Sequence, residues 1–294
     1  MRYRFFGSLL VLCSNPRSIL ITGCSSGIGL CVARGLADRG HRVIASVRQA
    51  KDVAAWPHAD IPVVWLDVTD DASIEAGLAA ALVLTNGRLD ALFNNGAFGL
   101  PGAVEDLSRE ALRAQFETNL FGWQVLTNRV IPLMRAQGFG RIIQNSSVLG
   151  LAALPFRGAY VSSKFALEGL SDTLRLELKG TGIEISLIEP GPIESHFRAN
   201  AQAALLRFIP IETSCHASAY RKQLVRLNKP GPAAPFTLPP DAVLKRVIHA
   251  LESRKPKARY PVTVPTYVFA LLRRLLPTRW MDWVLLTASG GGKR

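Results

Sequence analysis

Short apolar runs, most of them separated by helical patterns, occupy the first two-thirds of the chain and restrict its fold more than any other feature. They are 18–22 (SILIT), 42–47 (RVIASV), 61–66 (IPVVWL), 89–93 (LDALF), 140–146 (GRIIQNS) and 183–189 (IEISLIE). Each is too short for a helix, mostly apolar, and bounded by Gly, Asp or Asn, as strands buried on both faces are. Helical patterns fill roughly 27–39, 71–84, 108–137 and 158–180, the third long enough for two helices. Strand and helix in this alternation imply right-handed crossovers and an α/β fold, a doubly wound parallel sheet with helices on both faces. With 294 residues, 48% hydrophobic and 19% charged, the chain is neither disordered nor collagen-like, and one large domain accounts for it. No apolar run reaches the roughly 18 residues of a spanning helix.

The rhythm divides the chain into three parts. Residues 1–15 (two arginines before a short apolar run, with no small-residue cleavage site) are read as an extension outside the fold, with a membrane-touching anchor as the alternative. Residues 16–260 form the domain. Within it 190–240 is dense in proline and is expected to be a long irregular loop over the substrate, with one helix near 216–227 and another at 241–253 capped by Asp241. Residues 261–294 form an apolar and basic C-terminal tail.

The first strand runs directly into Thr22-Gly23-Cys24-Ser25-Ser26-Gly27-Ile28-Gly29 and then a helix. Glycines at this place let the backbone turn sharply against a pyrophosphate, and the helix N-terminus offers it unpaired N–H groups and a positive dipole end. The site is therefore of Rossmann type. An NAD site usually carries an acid at the end of the second strand, whereas this strand ends in Ser46-Val47-Arg48. A guanidinium suits a 2′-phosphate, so Arg48, with Ser26 nearby, points to NADP(H). Asp67-Val68 follows the third strand, where a carboxylate either accepts from an adenine amino group or caps the next helix. Asn94-Asn95 follows the fourth, where Asn95 bonds a backbone group or a ribose.

Tyr160 and Lys164 stand four residues apart on one helix face. A free tyrosine titrates near pH ~10 and is a poor acid or base at neutrality; an adjacent ammonium favours the phenolate. Ser147 ends the preceding strand, and its neighbour Ser146 is a second hydroxyl to consider. Together with Gly23, Gly27, Gly29, Asn94-Asn95, Asn119 and Pro190-Gly191, these residues make the chain resemble the short-chain dehydrogenase/reductase family over about 16–253. The runs TGCSSGIG, SVR and IEPGPI are most similar to its NADP-preferring branch of bacterial aldehyde reductases and 17β-hydroxysteroid or retinol dehydrogenases.

The resemblance implies that Ser147 holds a carbonyl oxygen and that Tyr160 gives or takes the proton. It implies that Lys164 lowers the tyrosine pKa and bonds the nicotinamide ribose, and that Asn119 positions a relay water. It also implies that Pro190, Gly191 and Ile193 set the nicotinamide. Where the family has Asn-Asn-Ala-Gly, this chain has Asn94-Asn95-Gly96-Ala97, and the Ala97 methyl is expected to crowd the adenosine ribose.

The segments expected to line the substrate are Phe98–Leu100, Leu149–Phe156 and Ile193–Phe197. They are mostly apolar and suit a hydrophobic carbonyl or alcohol; His196 is read as an exposed loop residue. Residues 245–294 carry eleven Lys and Arg against Glu252 and Asp282, so nine of the thirteen net positive charges fall there. With its leucines and tryptophans, this tail suits a helix at a membrane surface, a lid over the pocket or a homodimer or homotetramer contact. No nucleic-acid module is present, and Cys13, Cys24, Cys31 and Cys215 form neither a CxxC pair nor a zinc spacing with His, so no metal is expected and a reduced cytoplasmic setting fits. The rival reading is a non-catalytic NADP-binding regulatory module, which has no need of Ser147, Tyr160 and Lys164 at these spacings.

Overall fold

In the computed structural model, residues 13, 15–228, 231 and 234–290 are described. The expectation for 1–15 thus falls almost entirely outside the described residues. Seven strands, β1 (Ser18–Ile21), β2 (Arg42–Val47), β3 (Val63–Trp65), β4 (Ala91–Asn94), β5 (Gly140–Asn145), β6 (Ile183–Glu189) and β7 (Arg259–Pro261), form one sheet. Every pairing is parallel and the order is β3-β2-β1-β4-β5-β6-β7. The order reverses between β1 and β4, so a crevice opens there at the carboxyl ends of the strands.

Alternate side chains of each strand go to opposite faces. Ile19, Ile21, Val43, Ala45 and Phe93 meet α1 (Gly27–Asp38) and α9 (Asp241–Glu252). Leu20, Ile44, Leu92 and Ile142 meet α3 (Asp71–Leu84), α5 (Gly122–Gln137) and α6 (Gly158–Glu177). Each fully buried side chain of this kind contributes about 2 kcal/mol, which is why uninterrupted apolar runs read as central strands.

Residues 108–137 hold the two helices expected, α4 (Arg109–Phe116) and α5, joined through a π-helical turn, Glu117–Phe121. Three differences from the sequence expectation have physical causes. The loop 190–240 holds two helices, α7 (Phe197–Phe208) and α8 (Ala217–Asn228), where one was expected. Its prolines stand outside the 197–208 segment, and Ala201, Ala204 and Leu205 recur on a buried helical face, a signal that proline density masks. Asp241 is the first residue of α9 and makes no side-chain cap; Pro240 precedes it. The short α2 (Ala50–Ala54) and the three-residue β7 carry too little pattern to be read; β7 exists because the edge of β6 accepts it.

Candidate active site

The glycine turn closes the carboxyl end of β1. Gly23 has φ +71°, and a Cβ there would lie 2.6 Å from Gly96 Cα. A Cβ on Gly29 would lie 2.2 Å from the Gly23 carbonyl oxygen. The first turn of α1 is thus pressed against the loop, with Ile28 and Gly29 just inside the helix. Ser26 is its N-cap residue in extended backbone and makes no side-chain cap bond among the described residues, so the first helical amides can serve a bound anion. Ser25 is exposed beside it. Gly29→Ala is expected to cost about 1–3 kcal/mol by overpacking and to abolish dinucleotide binding; thermal melts with and without NADPH check both.

Thr22 and Asn95 hold this turn to β4. The Asn95 and Gly96 N–H groups donate to Thr22 Oγ1 at 2.8 and 3.0 Å. Asn95 Nδ2 donates to the Thr22 and Gly23 carbonyls, and its Oδ1 accepts from Asn145 at 2.9 Å. Of the two sequence alternatives for Asn95, its side chain takes the backbone one. The Ala97 methyl packs on the core cluster of β4 and α5, which does not support the expected crowding of a ribose.

Arg48 is exposed, and no carboxylate pairs with its guanidinium among the described residues. Its carbonyl accepts from Trp65 Nε1 at 2.9 Å. A shallow cleft beside the turn is lined by Ser25, Val47, Asp52, Trp56 and His58. Asp67 Oδ1 accepts from the Thr69 N–H and hydroxyl at 2.9 and 2.8 Å, whereas the cap of α3 is Asp70, which accepts from Ala72 N–H. Val68 is buried, and its carbonyl oxygen is 1.7 Å from where a Cβ on Gly122 would stand.

Ser147, Tyr160 and Lys164 converge at the ends of β5 and α6. All three are buried. Burial pushes the Tyr160 hydroxyl up to about 12, opposed by the nearby Ser147 hydroxyl. Lys164 Nζ donates to the Asn145 carbonyl at 2.7 Å and lies 4.3 Å from the Trp123 ring centre and 5.8 Å from that of Tyr160. Burial lowers the Lys164 ammonium to about 7, opposed by Glu168. In the protein alone, desolvation outweighs the lowering by Ser147 and favours the neutral phenol of Tyr160. Asn119, in the π-turn, is buried; its side chain accepts from Phe98 N–H at 3.2 Å and donates to the Phe98 carbonyl at 2.9 Å.

Ser146 has another task. Its hydroxyl donates to Glu168, one helical turn beyond Lys164. Arg259 on β7 then joins Glu168, Glu189 at 2.8 Å and Asp172 at 2.6 Å. This ionic network ties α6 to β7 and to the end of β6, where the next loop begins, and sequence reading missed it because its members are far apart in the chain. The spacing Tyr160, Lys164, Glu168 on one face was the available signal.

That loop reaches the glycine turn. The Pro190 carbonyl accepts from Val148 N–H at 2.7 Å, and a Cβ on Gly191 would lie 2.1 Å from Thr263 Oγ1. Ile193 bridges Leu238, and Ser195 Cβ stands 3.1 Å from where a Cβ on Gly27 would be. Phe197 packs edge-on to Tyr160 at 5.5 Å between ring centres, and a Cβ on Gly99 would touch its tip at 2.6 Å. His196 is exposed, as expected. Phe156 instead turns to His216 and Tyr220; the Tyr220 hydroxyl donates to Asp106 at 2.5 Å and accepts from Ala103 N–H at 2.8 Å, fastening α8 to the 100–106 loop. The fold also brings exposed Cys215 to 3.9 Å and His216 Nε2 to 2.5 Å from Glu105 Oε1, a grouping that the zinc-spacing rule does not reveal.

A dinucleotide-binding crevice beside a buried Ser-Tyr-Lys cluster defines an oxidoreductase. The family model described as short chain dehydrogenase matches residues 17–205, and the chain belongs to that family of NAD(P)-binding oxidoreductases. It is 43% identical over 269 residues to the uncharacterized oxidoreductase YbbO of Escherichia coli K12, covering 92% of this chain and 94% of that protein. It is 38% identical to retinol dehydrogenase 8 of Homo sapiens (66% of this chain, 65% of that protein) and 31% identical to an NADPH-dependent 3-dehydrocapnine reductase of Ornithobacterium rhinotracheale (90% and 95%). The crystal structure of a short-chain dehydrogenase from Streptomyces avermitilis matches with a TM-score of 0.72 at 29% identity, covering 94% and 96% of the two chains.

Proposed function

We propose that this protein is an NADPH-dependent reductase of hydrophobic aldehydes or ketones, reversible as an alcohol dehydrogenase. The observation that carries the reading is the convergence of buried Ser147, Tyr160 and Lys164 beside the apolar ring of Phe197. In reduction the carbonyl carbon gains a hydride and its oxygen gains a proton. The nicotinamide supplies the hydride when bound. Ser147 accepts the role of holding the carbonyl oxygen and stabilising its developing charge. Tyr160, held protonated by its burial, is the proton donor. Lys164, fixed on the Asn145 carbonyl, faces the same crevice and supports the proton's replacement. Asn119 acts through Phe98, whose backbone it holds at the mouth of the site.

The residues fit a dinucleotide. Gly23, Ser25, Ser26, Gly27, Ile28 and Gly29 would take the pyrophosphate, Asp67 and Val68 the adenine edge, and Pro190, Gly191 and Ile193 the nicotinamide end. The unpaired Arg48 favours a 2′-phosphate, and the NADPH dependence in the name of the Ornithobacterium relative agrees. Asp52 is the competing acid at the same cleft. Arg48→Ala is expected to weaken NADPH binding about 10- to 100-fold, the worth of one or two charge-assisted hydrogen bonds, and to leave NADH binding unchanged. Titration of the two cofactors by fluorescence measures this.

The reading as a whole is tested by a panel of retinal, steroid ketones, quinones, long-chain aldehydes and hydroxy acids, each with NADPH and NADH. Turnover of apolar carbonyls with NADPH is expected. Tight NADPH binding with no turnover of any of them would return the chain to the regulatory-module alternative. In this reading the enzyme works in the cytoplasm.

A further inference from the structure

The two C-terminal helices, α10 (Val264–Leu275) and α11 (Thr278–Ala288), present an apolar surface that the reaction does not use. On α10 the exposed residues Val264, Tyr267, Val268, Leu271 and Leu275 recur at helical spacing and make one stripe. On α11, Trp280, Trp283 and Leu286 make a second, with the two tryptophans 67% and 69% exposed. The opposite sides of both helices are already occupied. Phe269, Leu272, Leu276, Met281 and Leu285 form one cluster with Ala152 and Leu154, on the segment that leads away from Ser147. Both exposed stripes therefore point away from that shared cluster.

The charge on the two helices is mostly of one sign: they hold Arg273, Arg274 and Arg279 against a single acid, Asp282. Arg273, Arg274 and Arg279 are all exposed; Arg273 is held by the Leu151 carbonyl at 2.8 Å and by the Phe165 ring, and Arg274 and Arg279 stand next to the stripes. Exposed arginines beside an apolar stripe complement an anionic lipid surface. Exposed Trp and Tyr beside arginines on an amphipathic helix are the residues that settle at the level of lipid headgroups. Spanning is excluded for these helices: twelve residues reach about 18 Å against a hydrocarbon core of about 30 Å, and among the described residues no helix is long and apolar enough to cross.

We propose that the outer face of α10 and α11 docks the enzyme on an anionic lipid bilayer, with Trp280, Trp283 and Leu271 in the interface and Arg274 and Arg279 on the headgroups. The docking stands without the catalytic reading; it deepens that reading only in placing the substrate-side segment 149–156 beside a reservoir of apolar molecules.

The test is flotation of the full chain with vesicles of phosphatidylcholine and phosphatidylglycerol against phosphatidylcholine alone, at low and high salt. Binding to the anionic vesicles, a blue shift of tryptophan emission and release by salt are expected. Trp280→Ser with Trp283→Ser should lower binding about tenfold or more, and Arg274→Gln and Arg279→Gln about fivefold each on anionic vesicles. NADPH oxidation with a water-soluble aldehyde should be the same in all these variants; its absence in the wild type would count against the proposed reaction and leave the docking standing. Failure to float at low salt would overturn the docking, as would variants that bind like the wild type. So would light scattering that shows a dimer broken by the tryptophan pair in a chain that ignores vesicles, since the occupant would then be a second copy.

Discussion

Tyr160→Phe is expected to lower reductive turnover by roughly 10²–10⁴-fold, the usual worth of a positioned general acid, while NADPH affinity stays within error. The ring is retained, so its edge contact with Phe197 and its burial survive; only the transferable proton is lost. Cofactor titration and single-turnover NADPH oxidation separate the two effects, and unchanged turnover would remove Tyr160 from the reaction. The same hydroxyl predicts the pH dependence. Burial holds it up to about 12 in the protein alone, so the protonated donor persists across the neutral and mildly alkaline range and the tyrosine leaves reductive turnover flat there. Alcohol oxidation needs the ionised form and should rise with pH over that range. A reductive rate that falls through neutrality in parallel with a rising oxidative rate would show that the donor has a much lower pKa than its surroundings confer.

Arg259→Met is expected to destabilise the fold by roughly 3 kcal/mol at mildly alkaline pH, because it leaves buried carboxylates without their cation. Glu168 and Glu189 are 7% and 2% exposed, and both lean on Arg259. Burial is the main cause that pushes Glu168 up to about 7, with Glu189 adding to it, and burial raises Glu189 as well. A carboxyl raised in the folded state binds its proton more tightly there than in the unfolded chain. Its contribution to stability is therefore fully present below the unfolded value, about 4.3, and is lost as pH rises through the folded value. Arg259 opposes that loss by favouring the ionised forms. Without it the penalty should be small near the unfolded value and largest above neutrality, and Glu168→Gln in the same chain should restore part of the stability on the alkaline side. Urea unfolding on both sides of neutrality measures this; an equal loss at both would mean that Arg259 contributes by packing instead of charge.

The fold was legible because a parallel sheet covered on both faces needs apolar runs and amphipathic helices in alternation, and both are local patterns. The turn at Gly23 and Gly29 was legible because only glycine has room there, and the face shared by Tyr160 and Lys164 follows from helical periodicity. Helix α7 was obscured by prolines that bracket it, and β7 is too short to carry a pattern. The family spacing favours Ser147 over adjacent Ser146, and only the structure shows how their surroundings differ, Ser146 bonded to Glu168 and Ser147 beside Tyr160.

The linear chain by itself determined the strand alternation, the phosphate-type turn and the shared helix face of Tyr160 and Lys164, since each depends on residues close in sequence or on steric rules that hold at a single position. Only the tertiary structure decided how those groups are poised. It buries Tyr160 enough to raise its pKa, commits Asn95 and Asn119 to the backbone, and gathers Glu168, Glu189, Asp172 and Arg259 into one network. It also leaves one side of α10 and α11 bare. Desolvation and long-range ion pairing depend on what surrounds a side chain in three dimensions, which spacing along the chain does not encode.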